Sequence, residues 1–414
     1  FFFQAEHGIR YCLLSRGLGD VYKRQVVGAG ISGIGAAYNL KTRCPNKSYT
    51  ILEGRSELGG TWDLFKYPGV RSDSDMHTMG FKFKPWRSPK TIADAPSILS
   101  YLNETVDEFD IRKKIQFNKK VISAKWSSLE ALWNLQVEDQ SDKTVEEMTC
   151  NILYLCGGYY NYDEGYTPEF KNVEAFEGQV IHPQKWPEDL DYTDKEVIVI
   201  GSGATAVTIV PSMAEKVKHI TMLQRSPTYY FAAPDEDKIG NFIKKFTSDR
   251  LGYFLVRWKN ILMQRVMLNR LRKHPEKTKE MLINHVKEHL GEDYDVDKHF
   301  TPRYMPWDQR LCFVPNGDMF QAMNSGKATV VTDTINEFTS KGIKLDSGEE
   351  LEADIIITAT GLNMRLLNGI DIKIDNETLD ISQKTQYKTM MFSDVPNLIA
   401  TFGYTTASWT LGAD

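Results

Sequence analysis

Residues 196–206 read Glu196-Val197-Ile198-Val199-Ile200-Gly201-Ser202-Gly203-Ala204-Thr205-Ala206, a short apolar run that ends in a turn of glycines and small residues. A run without polar alternation is a strand buried on both faces, and the turn lets the chain double straight back into a helix. An earlier stretch repeats the pattern. Val26-Val27 leads into Gly28-Ala29-Gly30-Ile31-Ser32-Gly33, and Ile34-Gly35-Ala36-Ala37 opens a helix. In such turns the glycines permit a tight bend, close approach of a pyrophosphate to the backbone and close helix–strand packing. The helix N-terminus then offers unpaired N–H groups to the phosphates. Each unit predicts a Rossmann-like dinucleotide-binding fold, and the chain carries two. The fold class is therefore α/β.

The residue after the second strand of each unit indicates which nucleotide it takes. Tyr49-Thr50-Ile51-Leu52 is the second strand of the first unit, and Glu53 follows it. An acid there accepts hydrogen bonds from both hydroxyls of an unphosphorylated ribose, as in FAD or NAD. The alternative is a solvated glutamate at a strand end. In the second unit His219-Ile220-Thr221-Met222-Leu223 ends in Gln224-Arg225, with no acid. A guanidinium in that place suits the 2′-phosphate of NADPH, the alternative being a surface ion pair. Opposite charge at the two ribose-reading positions describes a flavoprotein that takes hydride from NADPH.

A disulfide reductase shares this layout but needs paired cysteines. The five here (Cys12, Cys44, Cys150, Cys156 and Cys312) contain no C-x-x-C pair. Cys150 lies just before the expected strand Ile152–Cys156 and Cys156 ends it, and both are expected to be core packing. Disulfide scaffolds and zinc ribbons are excluded on the same ground, no metal site is expected, and a cytoplasmic location fits best. The 414 residues suffice for two to three domains. A formal charge of −5 leaves no basic excess for gripping nucleic acid. No run approaches the roughly 18 apolar residues of a membrane-spanning helix.

Residues 1–25 do not fit the rest. Lys23-Arg24-Gln25 place three polar residues where the first unit should have a buried strand, and the segment lacks the order of a signal peptide. As a whole it resembles translated sequencing-adapter sequence. It is expected to be non-native.

Two further motifs are more specific than Gly-rich turns. One is Gly60-Thr61-Trp62, then Tyr67-Pro68-Gly69, then Asp73; the other is Phe176-x-Gly178, His182 and Trp186-Pro187. With the paired turns they resemble the signature of class B flavin monooxygenases of the Baeyer–Villiger type. The runs GGTWDLFKYPGVRSDSD, HPQKWPEDLDY and VIGSGATAV are similar to the ethionamide-activating subgroup of that family. The resemblance spans Val26 to Asp414.

That resemblance implies an FAD site lined by Gly28, Gly30, Ser32, Gly33, Glu53, Gly60, Thr61, Trp62, Asp63, Leu64, Asp73 and the backbone of Val121. It implies an NADP site at Gly201, Ser202, Gly203, Ala204, Thr205, Ala206, Val207, Gln224 and Arg225, with Arg71 and Ser72 between flavin and nicotinamide. Arg310, in Trp307-Asp308-Gln309-Arg310, matches the family's active-site arginine, and Asp73 would hold it in place. Gln309 stands where many relatives have a lysine, which leaves more of the 2′-phosphate to Arg225. The implied reaction consumes NADPH and molecular oxygen, forms a flavin C4a-peroxide and inserts oxygen into ketones, with sulfides and thioamides as further substrates. A fixed guanidinium stabilises an anionic peroxide without being able to protonate it. The rivals are a plain S- or N-oxygenating enzyme and a nucleotide-binding fragment without turnover, since relatives continue beyond the position of Asp414. His182 is expected to serve as a hinge rather than a proton carrier.

The expected organisation places the FAD domain at 26–155 and 365–414, C-terminally truncated, and a linker at 156–194. The NADP domain takes 195–234 and 301–364, and a helical subdomain is inserted at 235–300. That insert lacks strand patterning and is locally basic. It either touches a membrane surface weakly or walls the pocket with a solvated outer face; the poor segregation of its apolar and basic positions favours the latter. Nothing in the sequence bears on oligomeric state.

Overall fold

The computed structural model describes residues 23–306, 308–309 and 311–401. Two parallel five-stranded sheets organise the chain. In the first, the strands Leu398–Ala400, Ile152–Leu155, Arg24–Val27, Tyr49–Leu52 and Ile115–Gln116 lie in that order. The helices α1 (Ile31–Arg43) and α2 (Ala95–Glu108) pack on it through Ile34, Ala37, Ile98 and Leu102, all essentially buried. Asp94 caps α2, its carboxylate accepting from the Ser97 amide at 2.8 Å.

Arg24 and Gln25 belong to the segment expected to be non-native, yet they take part in the fold. They begin the central strand, each about 5% exposed, and their backbones pair with Tyr49–Thr50 on one side and Ile152–Leu153 on the other. Backbone pairing on both edges outweighs the polarity of two side chains at the strand's start. The cost shows at Gln25, whose buried Oε1 has no hydrogen-bond partner. Residues 1–22, with Cys12, lie outside the described residues, so the reading of that segment does too.

The second sheet runs Ala328–Thr332, His219–Gln224, Glu196–Ile200, Ile355–Thr358 and Gln179–Ile181. Its last strand lies inside the stretch expected to be linker; Gln179 and Val180 are exposed, so the segment carries no buried-strand pattern. The helix α3 (Ala204–Ala214) follows the second Gly-rich turn and packs Ala206, Val207, Ile209 and Val210 into the core. The two units are joined by two crossings that pair with each other, as the antiparallel strands Tyr160–Gly165 and Leu362–Met364.

Residues 235–300 are helical as expected: α4 (Lys238–Lys245), α5 (Asp249–Lys273) and α6 (Pro275–Leu290), then the short helix Val296–Phe300. The strands Tyr229–Ala233 and Leu311–Pro315 pair in parallel at its base. One side of α5 docks on the first unit. Buried Arg257 donates to the carbonyls of His77 and Thr78, while Asn260 and Gln264 each donate to the Asp75 carboxylate at 2.9 Å. Among the described residues no helix is long and apolar enough to cross a membrane.

Candidate functional site

The first Gly-rich turn opens onto a cleft of about 310 Å³. Of the residues expected there, Gly28, Gly30, Ser32, Glu53, Gly60, Thr61, Trp62, Leu64 and Val121 line it. Gly33 does not: it faces the strand, where a Cβ would lie 1.9 Å from the Gly28 carbonyl oxygen, so only glycine permits this helix–strand approach. Asp63 is also absent from the lining, because its carboxylate pairs with Arg55 at 2.7 Å and Lys66 at 3.1 Å. Glu53 is buried at the end of its strand. One carboxylate oxygen accepts from the Ala29 amide at 2.6 Å and the other from the Arg55 amide at 3.0 Å. Burial raises its pKa, and the two amides and the Arg55 charge pull it back. Sequence reasoning missed Arg55, Tyr160, Tyr162 and Asn368 on the same walls; they arrive from separate segments with no shared spacing.

The cleft fits a flavin dinucleotide on its own geometry. Gly30 and Gly60 bring their backbones into contact: a Cβ on Gly30 would meet the Gly60 Cα at 3.7 Å, and one on Gly60 would lie 3.2 Å from the Gly30 Cα, so this part of the cleft wall is bare backbone that a pyrophosphate can approach closely. The buried carboxylate of Glu53 shares the lining with Lys120 and Val121.

In the second unit, Gly201, Ser202 and Gly203 form the turn, and Ala204 and Thr205 begin α3. The Ser202 hydroxyl pairs with that of Thr228 at 3.0 Å, and its carbonyl accepts from the Tyr230 hydroxyl at 3.1 Å. Ala206 and Val207 are core residues. Gln224 turns inward, donating to the His299 carbonyl at 2.7 Å and the Thr332 hydroxyl at 2.9 Å, so its amide is held by the protein. Arg225 is exposed and lines a recess with Ser226, Lys298, Arg303, Thr332 and Thr334. Lys298, on the last short helix of the insert, and Arg303, just after it, lie more than 70 residues further along the chain, where local spacing gives no signal. Three cations against the single acid Asp297 match the charge of a phosphate monoester.

The segment Tyr67–Asp73 joins the two cradles. Gly69 has φ +75° and packs on α3, where a Cβ would fall 1.8 Å from Ser212 Oγ. Tyr67 is buried, and its hydroxyl bonds the Thr205 side chain at the start of α3. Arg71 makes a two-pronged ion pair with Asp318, the first residue of α7 (Asp318–Asn324). Sequence reasoning missed Asp318 because nothing local marks it. Ser72 is buried and held by Ser74, accepting from its amide and donating to its carbonyl. Asp73, expected on the FAD cleft, is not among its lining residues; it is exposed at the surface, though protein atoms crowd its carboxyl. That partial desolvation raises its pKa, and the Ser74 hydroxyl at 3.3 Å opposes the rise. Arg310 and Trp307 lie outside the described residues, and the Asp73–Arg310 pair with them.

The second motif holds the crossings. Phe176 packs under the second sheet against Phe338, with ring centroids 6.5 Å apart. Gly178 sits where a Cβ would strike the Asp354 carbonyl and the Phe176 ring. His182 accepts at Nδ1 from the Gln184 amide at 3.2 Å, so Nε2 carries the proton it donates to the Gly361 carbonyl at 3.1 Å. It thereby ties one crossing to the other, and desolvation lowers its pKa, which keeps it neutral. Trp186 packs against the core of the second unit, and the Pro187 carbonyl accepts from the Leu190 amide. The thiols of Cys150 and Cys156 are buried in separate clusters and pushed up to about 12, so neither is a redox centre.

Two βαβ cradles, one with an acid and the other with a cationic recess at the ribose-reading position, define a two-nucleotide oxidoreductase. The profile of the family described as flavin-binding monooxygenase-like matches residues 23–391, and the chain belongs to that family. The FAD-containing monooxygenase EthA of Mycobacterium tuberculosis is 54% identical over 390 residues, covering 94% of this chain and 79% of the relative. EthA of Mycolicibacterium smegmatis is 53% identical over the same shares. Among solved structures, cyclohexanone monooxygenase with bound ε-caprolactone superposes with a TM-score of 0.75 at 23% identity, covering 95% of this chain and 84% of that one. The OTEMO complex with FAD and NADP gives 0.73 at 23% identity, over 92% and 80%. The protein is a flavin monooxygenase.

Proposed function

We propose that this monooxygenase spends NADPH and dioxygen to insert one oxygen atom into ketones, giving esters or lactones, and that it oxygenates sulfides and thioamides as a side reaction. The cleft at Gly28–Ser32, Glu53, Gly60–Trp62 and Val121 takes FAD; the Gly201 turn and the Arg225 recess take NADPH. A cytoplasmic location goes with that supply of NADPH. Bound flavin, once reduced, supplies the activation of dioxygen that side chains alone cannot.

The chain's own residues then set the electrostatics. Arg310 directly precedes the strand Leu311–Pro315, and its guanidinium would hold an anionic oxygen without protonating it, since it is never an acid near neutral pH. Asp73 would orient that cation through a carboxylate–guanidinium pair. The observation that carries the reading is the Tyr67–Asp73 segment, which leaves one cradle, packs Gly69 on the other and anchors Arg71 on Asp318. The bound ε-caprolactone of the cyclohexanone monooxygenase is a lactone of the proposed product class.

The test measures NADPH consumption and product mass with cyclic, linear and aryl ketones beside sulfides. Ketones should gain one oxygen in the wild type, and Arg310→Ala should abolish that reaction. Products from sulfides alone, or ketone oxidation retained in Arg310→Ala, would refute the reading.

A further inference from the structure

Eleven of the 21 large apolar side chains that stand exposed among the described residues fall within residues 239–267, on α4, α5 and the turn between them. Phe242 and Phe246 are 65% and 68% exposed, with ring centroids 4.8 Å apart. On α5, Leu251, Leu255, Trp258 and Leu262 fall at alternating spacings of four and three, which sets them in one line along the helix. Arg265, Asn269 and Arg272 continue the same line. The opposite side of α5 is committed to the first unit through Arg257, Asn260 and Gln264, so the exposed line faces away from the protein. Scattered surface leucines need no explanation, but a contiguous apolar face with exposed Phe and Trp marks a contact surface.

Charge selects the partner. Residues 238–273 hold ten basic side chains and one acid, in a chain whose formal charge is −5. Arg257, Lys259 and Lys244 are turned inward, whereas Lys238, Lys245, Arg250, Arg265, Arg270, Arg272 and Lys273 are exposed. The one acid, Asp249, pairs with Arg87 at 3.1 Å. We propose that α4 and α5 form a surface that docks on a bilayer carrying anionic headgroups, with Phe242, Phe246, Phe254, Trp258 and Leu262 entering the headgroup boundary and the basic residues contacting lipid phosphates. Aromatic rings flanked by cations suit that boundary, where one part of a side chain is buried in acyl chain and the other meets headgroups. A second copy of this chain would meet the same basic residues with its own, which like charges oppose. The poor segregation of apolar and basic positions in the linear sequence has a structural resolution: the face is apolar over the first turns of α5 and basic over the last.

The FAD-loaded full chain, mixed with sucrose-loaded vesicles and sedimented, should pellet with phosphatidylcholine containing about 30% phosphatidylglycerol and stay in solution with phosphatidylcholine alone. Raising the salt should weaken binding by roughly tenfold or more as the headgroup charge is screened. Phe242→Glu with Trp258→Glu should abolish pelleting, and Arg265→Glu with Arg272→Glu should reduce it roughly tenfold. FAD content and NADPH oxidation in solution should be unchanged in both, since none of these residues touches the nucleotide clefts. A blue shift of tryptophan emission on anionic vesicles, absent in Trp258→Phe, reports insertion without relying on the charged variants. Failure to pellet with anionic vesicles, equal binding to neutral ones, or pelleting unaffected by either pair of changes overturns the proposal. So does a dimer that Trp258→Glu dissolves, or a Trp258 shielded from acrylamide in the vesicle-free protein; these would give the face to a second copy or to the chain itself.

Discussion

The guanidinium of Arg71 reaches both carboxylate oxygens of Asp318, at 2.5 and 3.4 Å, and so ties the segment after the first cradle to the start of α7 in the second unit. Their side chains are 17% and 29% exposed, which gives the pair more weight than a surface contact but less than a buried one. A double-mutant cycle of Arg71→Gln and Asp318→Asn should return a coupling of about 1 kcal/mol in urea unfolding. Asp318→Asn should also raise KM for NADPH several-fold while FAD content stays at the wild-type level. An unchanged KM would confine the pair to a structural role.

Gly69 supports the same junction by the absence of a side chain. Its φ of +75° costs an L-residue about 1 kcal/mol; the Ser212 Oγ could rotate away, but the Ser212 Cβ at 2.8 Å leaves a clash that α3 cannot relieve without moving. Gly69→Ala should destabilise the protein by roughly 2–4 kcal/mol in denaturant unfolding. Adding Ser212→Gly should restore part of the loss, because it removes the clash and leaves the strained φ. No rescue would mean that backbone conformation alone dominates.

The recess at Arg225, Lys298 and Arg303 leads to a prediction on cofactor choice. Each cation facing a phosphate contributes through a charge-assisted hydrogen bond, so Arg225→Ala, Lys298→Ala and Arg303→Ala should each raise KM for NADPH by roughly tenfold. NADH lacks the 2′-phosphate, and its KM should change little. Steady-state kinetics with both nucleotides separates the outcomes: parallel losses with NADH would show that the recess does not read the phosphate.

How much of this was legible depended on whether the signal was local. Tyr49–Leu52 and Glu196–Ile200 are continuous strands whose bounds follow from apolar runs against turns, and both appear as read. Glu53 and Arg225 are found by counting from a glycine. Asp318 and Arg303 reach the site from beyond the inserted helices and Lys298 from the last of them, and only the fold brings them there. Gln179–Ile181 falls in the stretch expected to be linker, because an edge strand with two exposed residues has no buried pattern. Gln25 shows the opposite case. The sequence argument that a central strand should be apolar is physically sound, yet the residue is in the strand and leaves a buried oxygen without a partner.

That conflict is itself measurable. Replacing Gln25 with Ile removes an unsatisfied amide oxygen from a site 5% exposed and adds apolar burial between two parallel neighbours. Gln25→Ile should stabilise the protein by about 1–2 kcal/mol, read as a higher denaturant midpoint at unchanged slope. A loss of stability would mean that the Gln25 side chain has a partner or a shape requirement that the strand argument overlooks.

His77 makes folding sensitive to acid. It is 1% exposed beneath α5, its Nε2 has no hydrogen-bond partner, and burial lowers its pKa to about 4. Lys244 and Lys259 depress it further, while Asp75 and Asp237 oppose them. Because the folded value lies below the unfolded one near 6.5, the native protein resists a proton that the unfolded chain accepts. Stability should therefore be level above about pH 6.5 and fall as the pH drops toward 4, by on the order of 3 kcal/mol from this group. His182, His289 and His299 are also held low by desolvation and should add to the slope. Urea midpoints for the wild type and His77→Gln between pH 4 and 8 test the assignment. The variant should lose part of the acid slope, whereas identical profiles would show that His77 is already satisfied as a cation in the fold.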